Sequence, residues 1–231
     1  MSIYHREEQY LRTLSDGEMT VAELSRRLYI SEPTVRRDLL QLKEKGWVDW
    51  RRGRVTLKAN APDRRVPMAI RDIANADAKH VIAQKAAAHI KDGQVIMLDA
   101  STSARCLVPY LKEHKNIFVI TSGAKTALAL AQAGVRTLCI GGEMALESYS
   151  YIGPDAERTL SRYNADAAFF STRGLSADGR VTDSSIMENN IRRIMIERAR
   201  ETYLLCDSSK VGQVYLNTLC TVDDVTAVIG E

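Results

Sequence analysis

Over the first sixty residues the apolar positions recur at intervals of three and four. Ile3, Tyr10, Leu11 and Leu14 lie among charges, which predicts a short amphipathic helix over 3–14. Ser15-Asp16-Gly17-Glu18 breaks it. Thr20 then opens TVAELSRRL with Glu23 three residues on, a reciprocal capping pair, and Val21, Leu24 and Leu28 form the inward stripe. Tyr29-Ile30 leaves room only for a tight turn. Ser31 is the expected cap of a third helix, and Pro33 suits its first turn, where no N–H is needed. Val35, Leu39 and Leu42 face inward there, and Gly46 ends the helix. Val48 and Trp50, then Val55 and Leu57, flank Arg51-Arg52-Gly53-Arg54 and predict a two-stranded hairpin with a basic tip.

Beyond residue 77 the pattern changes. DAKHVIAQKAAAHIKDG predicts a helix with Val81, Ile82, Ala86 and Ile90 buried. Short apolar runs follow at 95–98, 117–120, 137–140, 167–170, 202–206 and 225–229, with helical segments at 104–113, 123–133, 154–163 and 185–200 between most of them. Such alternation predicts an α/β domain with a mostly parallel sheet covered on both faces. The expected organisation is a head at 1–58, a partly helical linker at 59–76 and a larger domain at 77–231.

Charge sharpens this division. The chain has 231 residues and a net charge of only +3. Residues 1–60 hold 12 Lys and Arg against 9 Asp and Glu, whereas 61–231 hold 20 of each. The excess lies where a polyanion would be met. Cys106, Cys139, Cys206 and Cys220 show no CxxC spacing and have no His at ligand spacing, so buried reduced thiols, no metal and no cofactor are expected. No apolar stretch reaches 18 residues and the N-terminus carries charge throughout, so the expectation is a cytoplasmic chain with no membrane partner.

A capped helix, a tight turn, a second capped helix and a basic hairpin, in that order, predict a winged helix-turn-helix that binds double-stranded DNA. Thr34, Arg37 and Gln41 share the outward face of its third helix, with Arg36 at the flank. Arg37 can fork onto guanine and Gln41 can pair with adenine. Ser31, Thr34 and the hairpin's Arg51, Arg52 and Arg54 suit phosphate oxygens, while Asp38 is repelled by DNA and orients a neighbouring Arg. The run LYISEPTVRRDLLQLKEKG resembles the signature of the DeoR family of bacterial transcription regulators, although WRRGRVTL stands where that family usually has a His-Gly-Gly wing tip.

In the larger domain the strand ends carry the candidate chemistry, because ligands bind beyond the carboxyl ends of parallel strands. Asp99, Ser101, Thr102 and Ser103 follow the first strand, and Thr121 and Ser122 the second. Gly141 and Gly142 follow the third, Ser150 and Gly153 precede a helix, and Arg173 and Lys210 follow later strands. Hydroxyls, glycines and two cations suit a small phosphorylated, polyhydroxylated effector; ordinary turn composition is the blander account. The order from Asp99 to Ser103, then Gly141-Gly142, Gly153-Pro154, Glu188 to Ile196 and Asp207 to Gly212 is similar to the DeoR sensor domain, which resembles sugar-phosphate isomerases in fold. The resemblance implies that Ser101, Thr102 and Ser103 hold a phosphate, that Lys210 faces the sugar, and that Glu188 and Arg192 lie near or behind the pocket. It departs at Ser101, Ser122 and Thr172-Arg173, where the family has Gly, Asn and Ala-Asp.

The resulting expectation is a sequence-specific regulator, a repressor of carbohydrate genes controlled by a sugar phosphate. It would be a homo-oligomer, a dimer or tetramer, that meets paired half-sites. The alternative is a sugar-phosphate isomerase or deaminase with Asp99, Asp183, Glu188 or Lys210 as acid or base. His5, His80, His89 and His114 miss every strand end, and an intact helix-turn-helix would be idle in such an enzyme.

Overall fold

The computed structural model describes residues 3–14, 16–58 and 68–231, in two compact units, Met1–Ala74 and Asn75–Glu231. In the first, Tyr10, Leu11 and Leu14 of α1 (Ile3–Leu14) meet Leu24 of α2 (Val21–Leu28) and Val35, Leu39 and Leu42 of α3 (Glu32–Glu44) in one apolar core. The expected capping box is present: Glu23 N–H donates to Thr20 Oγ1 at 3.2 Å, and Thr20 N–H to Glu23 Oε2 at 2.7 Å. Helix α3 stops at Gly46, whose φ of +71° suits a residue without a Cβ. There Trp47 N–H donates to Leu42 O and Gly46 N–H to Lys43 O, the paired bonds of a Schellman stop. Ser31 occupies the N-cap position of α3 but makes no capping bond; its hydroxyl lies 3.0 Å from that of Thr34.

The basic hairpin joins β2 (Val48–Arg51) to β3 (Arg54–Leu57) through Arg52 and Gly53, both at positive φ, a two-residue turn that matches strand twist. A third strand, β1 (Met19–Thr20), pairs with β3 and was invisible to periodicity because it has two residues. Residues 59–67 of the expected linker lie outside the described residues. Its later part forms α4 (Met68–Ile73), whose Ile70 enters the same core.

Between α2 and α3 the chain turns through Tyr29 at φ +54° and ψ +41°, and its ring is 97% exposed. An L-residue with a Cβ is strained in this region, and asparagine tolerates it better. Tyr29→Asn loses no packing and is expected to stabilise this unit by about 0.5–1 kcal/mol, read as a higher urea midpoint. An unchanged or lower midpoint would contradict the strain.

The second unit is built on six parallel strands in the order β14-β12-β9-β4-β5-β6. Helix α5 (Ala76–Ala87) leads into β4 (Val95–Leu98). Two short helices follow, α6 (Thr102–Arg105) and α7 (Val108–Leu111), then β5 (Phe118–Thr121), α8 (Ala124–Gln132) and β6 (Arg136–Cys139). A hairpin, β7 (Glu143–Ala145) with β8 (Ser150–Ile152), precedes α9 (Gly153–Leu160) and β9 (Ala165–Ser171). Next come β10 (Gly174–Leu175), β11 (Arg180–Asp183), α10 (Ile186–Arg198) and β12 (Ala199–Leu205), then β13 (Asn217–Thr221) and β14 (Ala227–Ile229). Strands β10, β11 and β13 form a separate small antiparallel sheet.

Alternation places Ile96, Leu98 and Phe169 in a core on one face of the large sheet and Met97 and Phe170 in a core on the other. The helix expected at 104–113 is two pieces, because Pro109 has no N–H with which to continue the ladder. Two expectations are corrected. Along α5 and just beyond it, Ile82, Ala86 and Ile90 are buried as expected, but Val81 is exposed, and Lys79 and Ala83 are buried as well. Of the four cysteines only Cys206 is buried; Cys106 and Cys220 are half-buried and Cys139, at the end of an edge strand, is exposed.

Candidate functional sites

Helix α3 presents Arg36, Arg37 and Gln41 to solvent, opposite the buried Val35, Leu39 and Leu42, while Thr34 is half-buried beside Ser31. Arg37 is anchored from below. The carboxylate of buried Asp38 lies 3.7 Å from Arg37 Nε and 3.6 Å from Arg6 Nε, and accepts a bond from Tyr10 O–H at 3.4 Å. Burial first, then the charge of Asp38, raises the Tyr10 hydroxyl well above its ordinary range, so it stays protonated and donates. Arg36 pairs loosely with Glu32 one turn back, Arg51 with Asp49 at 2.8 Å and Arg54 with Glu18 at 3.4 Å. Arg52, at the hairpin tip, is exposed. These pairs are solvated and weak, so their arginines can exchange one anion for another.

The second constellation lies at the carboxyl ends of the parallel strands. The chain runs from β4 outward to β6 on one side and from β9 to β14 on the other, so the topological switch falls between β4 and β9. Asp99 follows β4 there and is almost wholly buried. Its Oδ1 accepts from Ser101 N–H at 3.0 Å, and its Oδ2 from Ser171 N–H at 3.3 Å and Arg192 Nε at 3.0 Å. Arg192, on α10, also donates to Asp183 at 3.0 Å, Asn189 at 3.1 Å and Glu188 at 3.3 Å. Loss of water works against its charge, but Asp183, Asp99 and Glu188 outweigh that and raise its pKa. Arg173 Nε lies 3.6 Å from Asp183, and Glu188 accepts from Ser148 Oγ at 2.5 Å.

Lys210, in the 3-10 turn Ser208–Lys210 that follows β12, reaches Ser171 Oγ at 2.7 Å and Asp207 Oδ2 at 3.1 Å. Burial opposes the charge of Asp207, but Lys210 and the bonds from Ser209 and Lys210 prevail and hold its pKa below the usual range. The hydroxyl loop after β4 is packed in: Ser101 Oγ accepts from Ala104 N–H at 3.1 Å, and Thr102 and Ser103 are buried beside it. Because α6 has only four residues, its dipole adds little there.

After β5, Thr121 Oγ1 accepts from Gly123 N–H at 3.0 Å, and Ser122 O accepts from Tyr151 N–H at 2.7 Å. Ser150 bridges to Gly123, which ties β8 to this end of the sheet. Gly141 and Gly142 follow β6, and Gly153 starts α9. A Cβ on Gly142 would meet Ala156 Cβ and Ile152 O at 2.9 Å, so the glycine permits close approach of backbone to α9. Thus Asp99, Ser101, Arg173, Glu188 and Lys210 belong to one bonded network, and Thr121, Ser122 and Ser150 to an adjoining one. Residues that pattern alone did not single out are Ser171, Asn189 and Ser148; Arg192 was indicated by resemblance only. The carboxylates of Asp99, Asp183 and Glu188 are all engaged by Arg192, a poor arrangement for a general base.

Comparison with known proteins agrees on both units. Residues 6–60 match the DeoR-like helix-turn-helix domain and residues 74–231 the DeoR C terminal sensor domain. The HTH-type transcriptional regulator IolR of Bacillus subtilis is 31% identical over 96% of this chain and 87% of its own. The lactose phosphotransferase system repressor of Staphylococcus aureus is 27% identical over 92% of this chain and 85% of its own. Among solved structures, ribose 5-phosphate isomerase A of Methanocaldococcus jannaschii matches with a TM-score of 0.45 and 20% identity, over 59% of this chain and 55% of that one. Among the described residues, no helix is long and apolar enough to cross a membrane.

Proposed function

Because this chain belongs to the DeoR family and is a DNA-binding transcriptional regulator, not an enzyme, we propose that it represses genes of carbohydrate metabolism and lets go of its operator when a sugar phosphate binds the sheet rim. Arg37 and Gln41 read bases, with Arg36 at the flank, and Ser31, Thr34, Arg51, Arg52 and Arg54 hold phosphates of the duplex. The observation that carries this reading is that Arg37 and Gln41 stand exposed on the face of α3 opposite its core side chains. The protein acts as a homo-oligomer that spaces two such helices along paired half-sites, which sedimentation would measure.

At the rim, the N–H groups of Thr102 and Ser103 at the start of α6 and the hydroxyls of Ser101, Thr102 and Ser103 take the phosphate. Lys210 and Arg173 complete the charge. Thr121, Ser122, Gly141, Gly142, Ser150 and Gly153 shape the sugar side, with Asp99 and Glu188 fixing the walls through Arg192. Fluorescence anisotropy on a duplex from upstream of its own gene, with and without pentose and hexose phosphates, tests the proposal. Weakened DNA binding with one of them is expected. Turnover of the compound, or no change in affinity with any, would refute it.

Lys210→Met is expected to weaken binding of the active compound at least tenfold, as measured by calorimetry. It also changes acid stability. A carboxyl held low in the folded state stabilises above its unfolded pKa of about 3.9 and loses that contribution as pH falls through the folded value. Without Lys210, burial acts on Asp207 against only the bond from Ser209 and the charge of Lys79, so its pKa rises and acid unfolding begins at a higher pH. An unshifted acid midpoint would mean that Lys210 does not govern Asp207.

A further inference from the structure

Asn75 opens the second unit, directly after Ala74, the last residue of the first. It stands at the N-cap of α5 with φ +53° yet makes no capping bond. Its amide is turned elsewhere: Nδ2 donates to Asp207 Oδ1 at 3.1 Å and to Ser209 Oγ at 2.9 Å. The other oxygen of the same carboxylate, Oδ2, is the one that holds Lys210 at 3.1 Å. One buried carboxylate is therefore shared between the lysine of the rim and the residue at which the unit begins. Lys79, buried one turn further along α5, adds its positive charge to the same Asp207.

We propose that Asn75 is a positioning residue that relays occupancy of the rim, through Lys210 and Asp207, to the segment leading to the DNA-binding unit. The physical reason is competition for charge. An anion at the rim draws on the Lys210 ammonium and leaves Asp207 short of counter-charge. A buried carboxylate that loses one partner leans harder on those that remain, and two of those, Asn75 and Lys79, lie at the start of α5. The shift therefore reaches the chain at residue 75, left-handed in the two-residue turn between α4 and α5. This inference rests on the proposed rim site for its effector, but the contacts on which it stands do not.

Asn75→Gly tests it, because glycine accepts φ +53° without strain and deletes only the amide. With glucose 6-phosphate, fructose 6-phosphate and ribose 5-phosphate as probes, a compound that weakens operator binding of the full chain about tenfold or more should still bind Asn75→Gly within about threefold by calorimetry. The same compound should shift the operator affinity of the variant less than about threefold. An undiminished shift overturns the relay. A second measurement needs no sugar: hydrogen exchange at amides 75–79 should change on Lys210→Met in the otherwise native chain and not in the Asn75→Gly background. Exchange unaltered by Lys210→Met overturns the relay. Exchange that responds while none of the three compounds binds keeps the relay and counts against the rim reading alone.

Discussion

Arg192→Met is expected to destabilise the C-terminal unit by about 3–5 kcal/mol, the cost of stranding buried charge by removing one partner of an ion pair. The guanidinium is buried and answers three carboxylates, Asp99, Asp183 and Glu188, at 3.0 to 3.3 Å. Methionine matches its volume and none of its five donors. Those carboxylates must then either take up protons or admit water. Unfolding in urea followed by near-ultraviolet dichroism should show the loss, and a low pH optimum of the residual stability should accompany it, since protonation relieves the repulsion. Arg192→Lys should recover only part, because a single ammonium cannot reach three separated acceptors in one plane. A loss below about 1 kcal/mol in Arg192→Met would show the network to be dispensable for folding.

Arg37→Ala should cost about 1–3 kcal/mol in operator affinity and little on a scrambled duplex, so that discrimination falls roughly tenfold to a hundredfold. Arg52→Ala should behave differently. It should weaken both duplexes alike and lower the slope of log affinity against log salt by about one, as expected when a phosphate contact is lost. Anisotropy titrations on the two duplexes at several salt concentrations separate the outcomes. If Arg37→Ala keeps full discrimination, the exposed face of α3 is not where the sequence is read.

What could be read from the chain was what is local. The Thr20–Glu23 box, the stop at Gly46 and the apolar stripe of α3 depend on residues three or four apart, and all three are present. The six parallel strands were legible because each holds a short apolar run and helices separate most of them. Strands β1, β7, β8, β10, β11 and β13 were missed, being only two to five residues long. Along α5 and just beyond it the stripe of Ile82, Ala86 and Ile90 was legible, but Val81 lies outside it and the buried Lys79, whose charge acts on Asp207 over a hundred residues away, was not foreseen. Arg192 was indicated by resemblance only, because its local sequence shows just Glu188 four residues before it and the fold alone brings Asp99 and Asp183 to it.

The acid beneath Arg37 also limits how this reading head could be retargeted. Asp38 belongs to the core and is held there by Tyr10 and Arg6. Any side chain at position 37 must live beside a fixed negative charge. A glutamate there, the residue type suited to cytosine, would face like-charge repulsion, whereas arginine and lysine are welcomed. If position 37 reads a base as proposed, new target preferences reached by changing it would be tilted toward guanine, and a switch of base class would require a compensating change inside the helical core.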